Sequence, residues 1–163
     1  MKGDSFTVLL VCTGNTCRSP MAAGILKKML ADDDVQGISV LSAGTAALEG
    51  MPATDLAVST SADWQIDISG HRSRAVTDEL VAQSDLILTM TPEHREEVLL
   101  FDPEAEGKTF LLKSFPGPMK DDPTFYIRDP IGGGPGEYQR SFLEIEESLR
   151  RIFSGILQRA GKR

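Results

Sequence analysis

The chain has 163 residues, a formal net charge of −7 at pH 7, 40% hydrophobic residues and 25% charged residues. This length suits one domain with an ordinary core, so we expect a single domain over residues 1–163. The composition excludes disordered and fibrous chains, and the negative charge argues against a nucleic-acid-binding protein, which needs a surplus of Lys and Arg along one face.

The N-terminal segment leads into a short apolar stretch that ends at Val11. The stretch is far shorter than a transmembrane span and lacks the cleavage site of a signal peptide, so we expect a cytoplasmic location and no membrane partner. The two cysteines, Cys12 and Cys17, are compatible with reactive thiols in a reducing compartment and fit no common zinc pattern. We therefore predict no metal and no cofactor.

Strand and helix patterns alternate along the chain. A continuous apolar run at 7–11 predicts a buried strand, and after a glycine-containing loop apolar residues recur at helical spacing from Pro20 to the acidic residues 32–34. The later elements predicted in this way are a strand at 38–42 with an Ala43-Gly44 turn, a helix at 52–64, a strand at 85–90, a helix that begins near Pro92 and a short strand at 109–112.

The C-terminal third contains a long loop and a final helix. The segment 114–136 is rich in Pro, Gly and Asp and too long for an ordinary connection, so we interpret it as a functional loop. Apolar residues then follow at three- and four-residue steps from Phe142 to Ile156, which predicts a helix docked on the sheet. The whole pattern predicts a single-domain α/β fold with a flavodoxin-like, parallel four-stranded sheet and helices on both faces.

The loop from Cys12 to Ser19 lies at the carboxyl edge of this sheet, where ligands bind, and has the chemistry of an anion site. A helix N-terminus offers unpaired N–H groups, Gly14 permits a tight turn, and the Arg18 guanidinium can hold two phosphate oxygens. The same positive field favours the thiolate of Cys12 as a nucleophile. Ser19 and Thr13 are both candidates to hydrogen-bond its sulfur.

The two cysteines receive different interpretations. Cys12 is interpreted as a nucleophile rather than a buried apolar cysteine, because a preceding strand, a glycine, an arginine and a following helix coincide around it. Cys17 is interpreted as a packing residue at the start of the helix. The alternative for Cys17 is a resolving thiol that forms a protective disulfide with Cys12.

The stretch from Val11 to Ala22 closely resembles the signature of the low-molecular-weight protein-tyrosine phosphatases and the related protein-arginine phosphatases. The resemblance covers nearly the whole chain. Its further, less specific motifs are Ser42-Ala43-Gly44-Thr45, His71-Arg72-Ser73-Arg74, the third strand with Met90, and Asp129-Pro130.

The resemblance implies a phosphatase of phosphorylated proteins that works through a phosphocysteine intermediate, with an aspartic acid that protonates the leaving group. Three Asp-Pro pairs, at 102, 122 and 129, are candidates for this acid. Asp129 matches it by position, and Asp122 is the second candidate. The residues that the resemblance assigns to phosphate binding are Thr13, Gly14, Asn15, Thr16, Cys17 and Ser19.

The resemblance also implies that Asn15 locks the loop through hydrogen bonds to Ser42 and His71. The alternative for His71 is an ordinary, partly exposed turn residue.

The substrate depends on Thr16. Phosphotyrosine is the default of the family, but the tyrosine enzymes usually have an apolar residue at this position and an aromatic one where this chain has Ile131. A threonine at position 16 resembles the loop of the arginine phosphatases, so phosphoarginine is the alternative substrate. Neutral sequence drift within a tyrosine phosphatase would also explain this threonine. Two remoter alternatives are an arsenate reductase, which the lack of any cysteine after Cys17 disfavours, and a non-catalytic phosphate-binding module.

Overall fold

The computed structural model describes residues 5–162, and within them four strands and five α-helices alternate. The strands are β1 Phe6–Cys12, β2 Ile38–Gly44, β3 Leu86–Thr89 and β4 Thr109–Leu111. The α-helices are α1 Arg18–Asp32, α2 Asp55–Ala62, α3 Asp78–Gln83, α4 Pro92–Phe101 and α5 Pro135–Arg159. Two 3₁₀ turns span Pro103–Lys108 and Pro123–Phe125.

The four strands form one parallel sheet in the order β2-β1-β3-β4, which confirms the predicted fold class. In this order β1 is central, and Val8 lies opposite Val40 on one side and Leu86 on the other. The chain passes from β1 to β2 on one side of β1 and later to β3 on its other side. This change of direction creates a crevice at the carboxyl end of β1, which is where α/β folds of this kind bind ligands. The loop that follows Cys12 therefore lies at the position that the sequence predicted.

Helices cover both faces of the sheet because consecutive side chains of a strand point to opposite sides. Val8 and Leu10 belong to a core cluster that includes residues of α1, α2 and α5. Leu9 and Val11 belong to a second cluster with residues of α3 and α4. None of the helices between residues 5 and 162 has the length and apolar character that a membrane span requires.

Two of the predicted boundaries are wrong in detail. The predicted Ala43-Gly44 turn is part of β2, because Gly44 still pairs with Cys12 in the parallel ladder. A side chain at Gly44 would place its Cβ 2.3 Å from the carbonyl oxygen of Thr13, so glycine lets β2 run beside the loop. The helix predicted at 52–64 begins only at Asp55 and ends at Ala62, because the hydroxyl of Thr54 accepts a hydrogen bond from the Ala57 N–H and caps it.

Helix α3 was not predicted from the sequence. It has six residues, too few to display a helical period, and packs Leu80 and Val81 against the sheet. A usable signal was nevertheless present, since Thr77 caps the helix and acidic residues occupy its first turn.

The long loop and the last helix agree with the prediction. The last two residues of the predicted loop at 114–136 belong to α5, which begins at Pro135, and before them the helical element of the loop is the 3₁₀ turn at Pro123–Phe125. The apolar face of α5, which includes Phe142 and Ile145, is buried in the same cluster as α1. This packing holds the end of the long loop close to the start of α1.

Candidate active site

Cys12 ends β1 and is buried, with 2% of its surface exposed. Its sulfur lies 2.9 Å from the hydroxyl oxygen of Ser19 in the first turn of α1. That oxygen already accepts a hydrogen bond from the Asn15 side-chain amide at 2.7 Å, so the Ser19 hydroxyl hydrogen is free to be donated to the sulfur. Of the two hydroxyls that the sequence left open, Ser19 is the one in contact with Cys12.

The loop between β1 and α1 ends at a helix N-terminus that favours anions. The N-cap residue is Cys17, no described side chain caps α1, and its first turn contains no acidic residue. The N–H groups of an uncapped first turn lack partners within the helix and lie at the positive end of its dipole. We call residues 12–19 the phosphate loop from here on.

Asn15 holds the phosphate loop in shape. It is fully buried and adopts a positive φ of 57°, a conformation that asparagine tolerates better than most residues. Its amide nitrogen donates to Ser42 at 3.0 Å as well as to Ser19, and its amide oxygen accepts from the backbone N–H of Arg74 at 2.9 Å. The amide therefore makes three hydrogen bonds to three separate segments.

His71 contacts the backbone of Asn15. Its Nε2 atom lies 2.7 Å from the backbone oxygen of Asn15 and donates to it. The predicted contacts of Asn15 with Ser42 and His71 are thus both present.

Arg18 is the first residue of α1, and although charged it is only 4% exposed. Its guanidinium donates to the backbone oxygen of Ile127 at 2.9 Å and to the hydroxyl of Thr13 at 3.3 Å. It also forms an ion pair with Asp129, with 3.4 Å between Nη2 and Oδ2. One buried cation therefore joins the phosphate loop to the long loop at 114–136.

The three Asp-Pro pairs are distinguished by their contacts. All three carboxylates accept a hydrogen bond from the backbone N–H two residues later, and at Asp102 and Asp122 this bond caps a 3₁₀ turn. The hydrogen bond from the Thr124 backbone lowers the pKa of Asp122, which keeps this exposed carboxylate ionised. Asp129 is the one that reaches Arg18, and its side chain stays 41% exposed.

His94 is a buried histidine that the sequence analysis did not assign to the site. It lies in the first turn of α4 with 4% of its surface exposed, and its Nδ1 accepts a hydrogen bond from the Thr91 backbone N–H at 3.2 Å. Burial and, next, the positive charge of Arg18 lower its pKa to about 4, so the ring is neutral at pH 7. The single ring proton is therefore on Nε2.

This tautomer determines what Thr13 does. The Nε2–H of His94 donates to the Thr13 hydroxyl oxygen at 2.8 Å, and Arg18 donates to the same oxygen. Both acceptor positions of the oxygen are used, so Thr13 orients the guanidinium and keeps its own hydrogen to donate. His94 is a positioning residue for Arg18, and neither its spacing nor its sequence context indicated this.

The variant His94→Gln should make the protein less sensitive to acid. Below pH 6.5 the unfolded chain protonates His94 while the folded protein does not until about pH 4, so wild-type stability falls over this interval. The loss from this one group should amount to roughly 3 kcal/mol. Glutamine can accept from Thr91 and donate to Thr13 without titrating. Urea unfolding of both proteins at pH 7 and pH 4 measures the difference.

The comparison is internally controlled, because all carboxylates titrate alike in the two proteins. Phosphatase activity of His94→Gln at pH 7 should stay within a few-fold of the wild type, whereas His94→Ala, which cannot donate to Thr13, should lose about tenfold. Equal acid sensitivity of wild type and His94→Gln would contradict the neutral, buried state of this ring.

Cys17 lies in the core between α1, α2 and α5. Its sulfur lies 3.3 Å from the hydroxyl of Tyr138 and 3.6 Å from that of Thr54. Burial raises the pKa of Tyr138 to about 12, so this phenol remains a neutral partner. Both cysteines are free thiols, and the contacts of Cys17 favour its interpretation as a packing residue.

Thr16 lies at the rim of the phosphate loop and is half-buried. Its side-chain oxygen would be 3.6 Å from a Cβ added at Gly14, so it stands directly over the glycine turn. Its described side-chain partner is the Cys17 sulfur at 3.9 Å, which is a weak contact. The hydroxyl is therefore available to a ligand.

The structure brings the predicted site residues together and adds His94 and Arg74 to them. Among residues 5–162, no group of three or more His, Cys, Asp and Glu side chains is arranged to hold a metal ion. The arrangement has a buried thiol, a fixed cation, a helix N-terminus and a partly exposed carboxyl, and these are the groups that phosphoryl transfer to a thiol requires.

Known proteins are similar to this chain in fold and in sequence. A family model described as low molecular weight phosphotyrosine protein phosphatase matches residues 7–162. The chain is 39% identical over 150 residues to a probable low molecular weight protein-tyrosine-phosphatase, EpsP, from Ralstonia nicotianae, covering 92% of this chain and 90% of that protein. The YwlE arginine phosphatase from Geobacillus stearothermophilus matches with a TM-score of 0.82 at 34% identity, over 94% of both chains.

A second similar structure is a cysteine-to-serine mutant of the YwlE arginine phosphatase with a phosphorylated active-site serine. It matches with a TM-score of 0.83 at 32% identity, over 94% of this chain and 96% of that one. These findings confirm the resemblance inferred from the sequence, and the chain belongs to the low molecular weight phosphotyrosine protein phosphatase family of hydrolases.

Proposed function

We propose that the protein hydrolyses phosphorylated side chains of proteins, with Cys12 as the nucleophile, Arg18 as the phosphoryl-binding cation and Asp129 as the general acid. The observation that carries the proposal is the contact of the Cys12 sulfur with Ser19 at the uncapped N-terminus of α1. A thiol in this place is flanked by a hydroxyl donor and by the positive end of a helix, both of which favour the thiolate.

In the first step the thiolate attacks the phosphorus atom, a sulfur–phosphorus bond forms, and the bond from phosphorus to the leaving group breaks. Arg18 and the helix N-terminus stabilise the charge on the phosphoryl oxygens. Asp129 gives its proton to the leaving atom. Its 3.4 Å contact with Arg18 supports this role, since it places the carboxyl beside the phosphoryl-binding cation.

In the second step water attacks the phosphocysteine. The Asp129 carboxylate takes a proton from the water, the phosphorus–oxygen bond forms, and the sulfur leaves as a thiolate. The Ser19 hydroxyl hydrogen, which is not needed by Asn15, stabilises that leaving sulfur. Inorganic phosphate is then released and the thiolate is ready for another cycle.

Phosphotyrosine in proteins is the first candidate substrate. The family description and the similarity to the probable tyrosine phosphatase EpsP support it. Phosphoarginine is the second candidate, supported by the similarity to YwlE arginine phosphatase and by the free hydroxyl of Thr16 at the rim of the loop. A hydroxyl that hydrogen-bonds the substrate discriminates strongly between leaving groups, whereas an unused hydroxyl does not.

The variant Thr16→Ile tests which substrate the protein prefers. If Thr16 pairs with a guanidinium, its loss should lower kcat/KM for a phosphoarginine peptide by about 10–100-fold and change kcat/KM for the matched phosphotyrosine peptide by only a few-fold. Steady-state kinetics on both peptides, in wild type and variant, give the ratio of the two values.

Thr124→Ile is the matched control, because it makes the same change at an exposed threonine of the 3₁₀ turn at Pro123–Phe125. It should leave the ratio unchanged. An unchanged ratio in Thr16→Ile as well would remove the support that Thr16 gives to phosphoarginine, and phosphotyrosine would remain the proposed substrate.

A further inference from the structure

A cavity lies beside the phosphate loop, and its lining includes none of residues 12–19. It has a volume of about 320 Å³, which is the size of a small ligand pocket. Its lining comes from α1, from β2 and from the segment at 67–74. The charged and polar members of that lining are Lys27, Ser42, Asp67, His71, Arg72 and Arg74. We call it the basic cavity.

The basic cavity concentrates positive charge in a chain whose net charge is −7. Among residues 5–162, none of the salt bridges includes Lys27, Arg72 or Arg74. Asp67 is the only acidic residue in the lining, and its carboxylate accepts a hydrogen bond from the Ser69 backbone N–H at 2.8 Å. The lining therefore carries three cations and one carboxylate, and Asp67 neutralises only part of the repulsion among the cations.

His71 responds to these charges. Its pKa is lowered from 6.5, first because the ring is partly buried, and also because the three cations of the cavity repel a second proton; the hydrogen bond to the Asn15 carbonyl acts in the opposite direction. Its neighbour Arg72 donates back to the His71 carbonyl at 2.8 Å, which keeps that guanidinium beside the ring.

The lining is connected to the phosphate loop by hydrogen bonds. Three of its members, Ser42, His71 and Arg74, are the residues that hold Asn15, at 3.0, 2.7 and 2.9 Å. The Arg74 side chain also donates to the Ser42 carbonyl at 3.2 Å, which joins two of them. A charge placed in the cavity therefore acts on the groups that fix the shape of the loop.

We propose that the basic cavity binds a small divalent oxyanion of the phosphate class and that its occupancy strengthens the hold of His71 on the phosphate loop. The anion neutralises the repulsion among Lys27, Arg72 and Arg74. It also favours the doubly protonated His71 ring, whose charged Nε2–H makes a stronger bond to the Asn15 carbonyl. The groups that act on the ring are these three cations and the Asn15 carbonyl, and the Asp67 carboxylate lines the same cavity.

Sulfate is the probe, because it has the charge and shape of the ligand class and cannot be hydrolysed. Titration of the ¹⁵N-labelled wild-type protein, followed by amide NMR, should give two groups of shifts, one in the phosphate loop and one around Gly24, Gly70 and Arg72. The imidazole resonance of His71 should titrate at higher pH when sulfate is present. Shifts confined to the phosphate loop, with no change at His71, would overturn the proposal.

Lys27→Gln and Lys28→Gln form a matched pair of variants. Both remove one charge from α1, but Lys27 lines the cavity whereas Lys28 pairs with Asp32 at 3.0 Å. Lys27→Gln should weaken sulfate binding at the second set of amides up to about fivefold, and the double variant Lys27→Gln/Arg72→Gln about tenfold, while Lys28→Gln should stay near the wild type. Equal weakening by Lys27→Gln and Lys28→Gln would also overturn the proposal.

The source of the anion is decided by a second titration with a peptide that carries one phosphoserine. If the peptide produces the cavity shifts at lower concentration than sulfate, the site binds a phosphoryl group on a protein. If only the free ion produces them, the site binds the free ion. Both results support an oxyanion site, and the Lys27 and Lys28 variants should rank in the same order in either titration.

Discussion

Replacement of Cys12 by serine should lower the hydrolysis of phosphorylated peptides by at least roughly 10⁴-fold while phosphate binding is retained. The hydroxyl is a far weaker nucleophile than a thiolate, and the other thiol among residues 5–162, that of Cys17, is buried in contact with Tyr138. The anion site itself is unchanged, because Arg18 and the start of α1 remain. Turnover assays and calorimetric titration with inorganic phosphate measure the two properties separately.

Cys17→Ser is the matched control for this prediction, since the same atom is exchanged five positions later. It should lose some stability, because a hydroxyl replaces a buried sulfur, but it should keep activity within about tenfold of the wild type. Full activity in Cys12→Ser would exclude Cys12 as the nucleophile. Loss of phosphate binding together with activity would instead mean that the substitution had damaged the loop.

The serine variant also has a second observable. A cysteine-to-serine mutant of the related YwlE arginine phosphatase has a phosphorylated active-site serine. If Ser19 and Arg18 support attack at this position in the present protein too, Cys12→Ser incubated with substrate should acquire one phosphoryl group, seen by mass spectrometry of the intact chain. The phosphorylated residue should map to position 12.

The phosphate loop was predictable because its chemistry is local in sequence. Cys12, Gly14, Arg18 and Ser19 lie within one strand–loop–helix unit, so the spacing of residue types already defines an anion site. The parallel sheet with helices on both faces follows from the alternation of strands and helices. What the local sequence did not decide was which hydroxyl contacts the sulfur, because this depends on where the Asn15 amide donates its two hydrogens.

His94 was missed for a different reason. It contacts Thr13 across 81 positions of the chain, and the contact exists only because β3 lies directly beside β1 and carries the start of α4 to the loop. Nothing in the sequence around His94 distinguishes a positioning residue from a helix-capping residue, and it is in fact both. The same holds for Arg74, whose backbone N–H reaches Asn15 across 59 positions.

The variant Asp129→Asn should lower kcat for a phosphopeptide by about 10²–10⁴-fold, since an amide can neither give the leaving group a proton nor take one from water. Its KM should change much less, because Arg18 and the helix N-terminus bind the phosphoryl group. The leaving group provides the sharpest test. For 4-nitrophenyl phosphate, whose leaving group departs without a proton, the first step should be affected less than the second.

Phosphocysteine should therefore accumulate in Asp129→Asn, and rapid mixing with 4-nitrophenyl phosphate should give a burst of one equivalent of nitrophenol before slow turnover. Asp122→Asn is the matched control, because it changes the other Asp-Pro carboxyl of the same loop, which caps the turn at Pro123–Phe125. It should cost little stability and leave kcat close to the wild-type value. The reverse ranking of the two variants would transfer the role of general acid to Asp122, and its loop would then have to move to bring that carboxyl to Arg18.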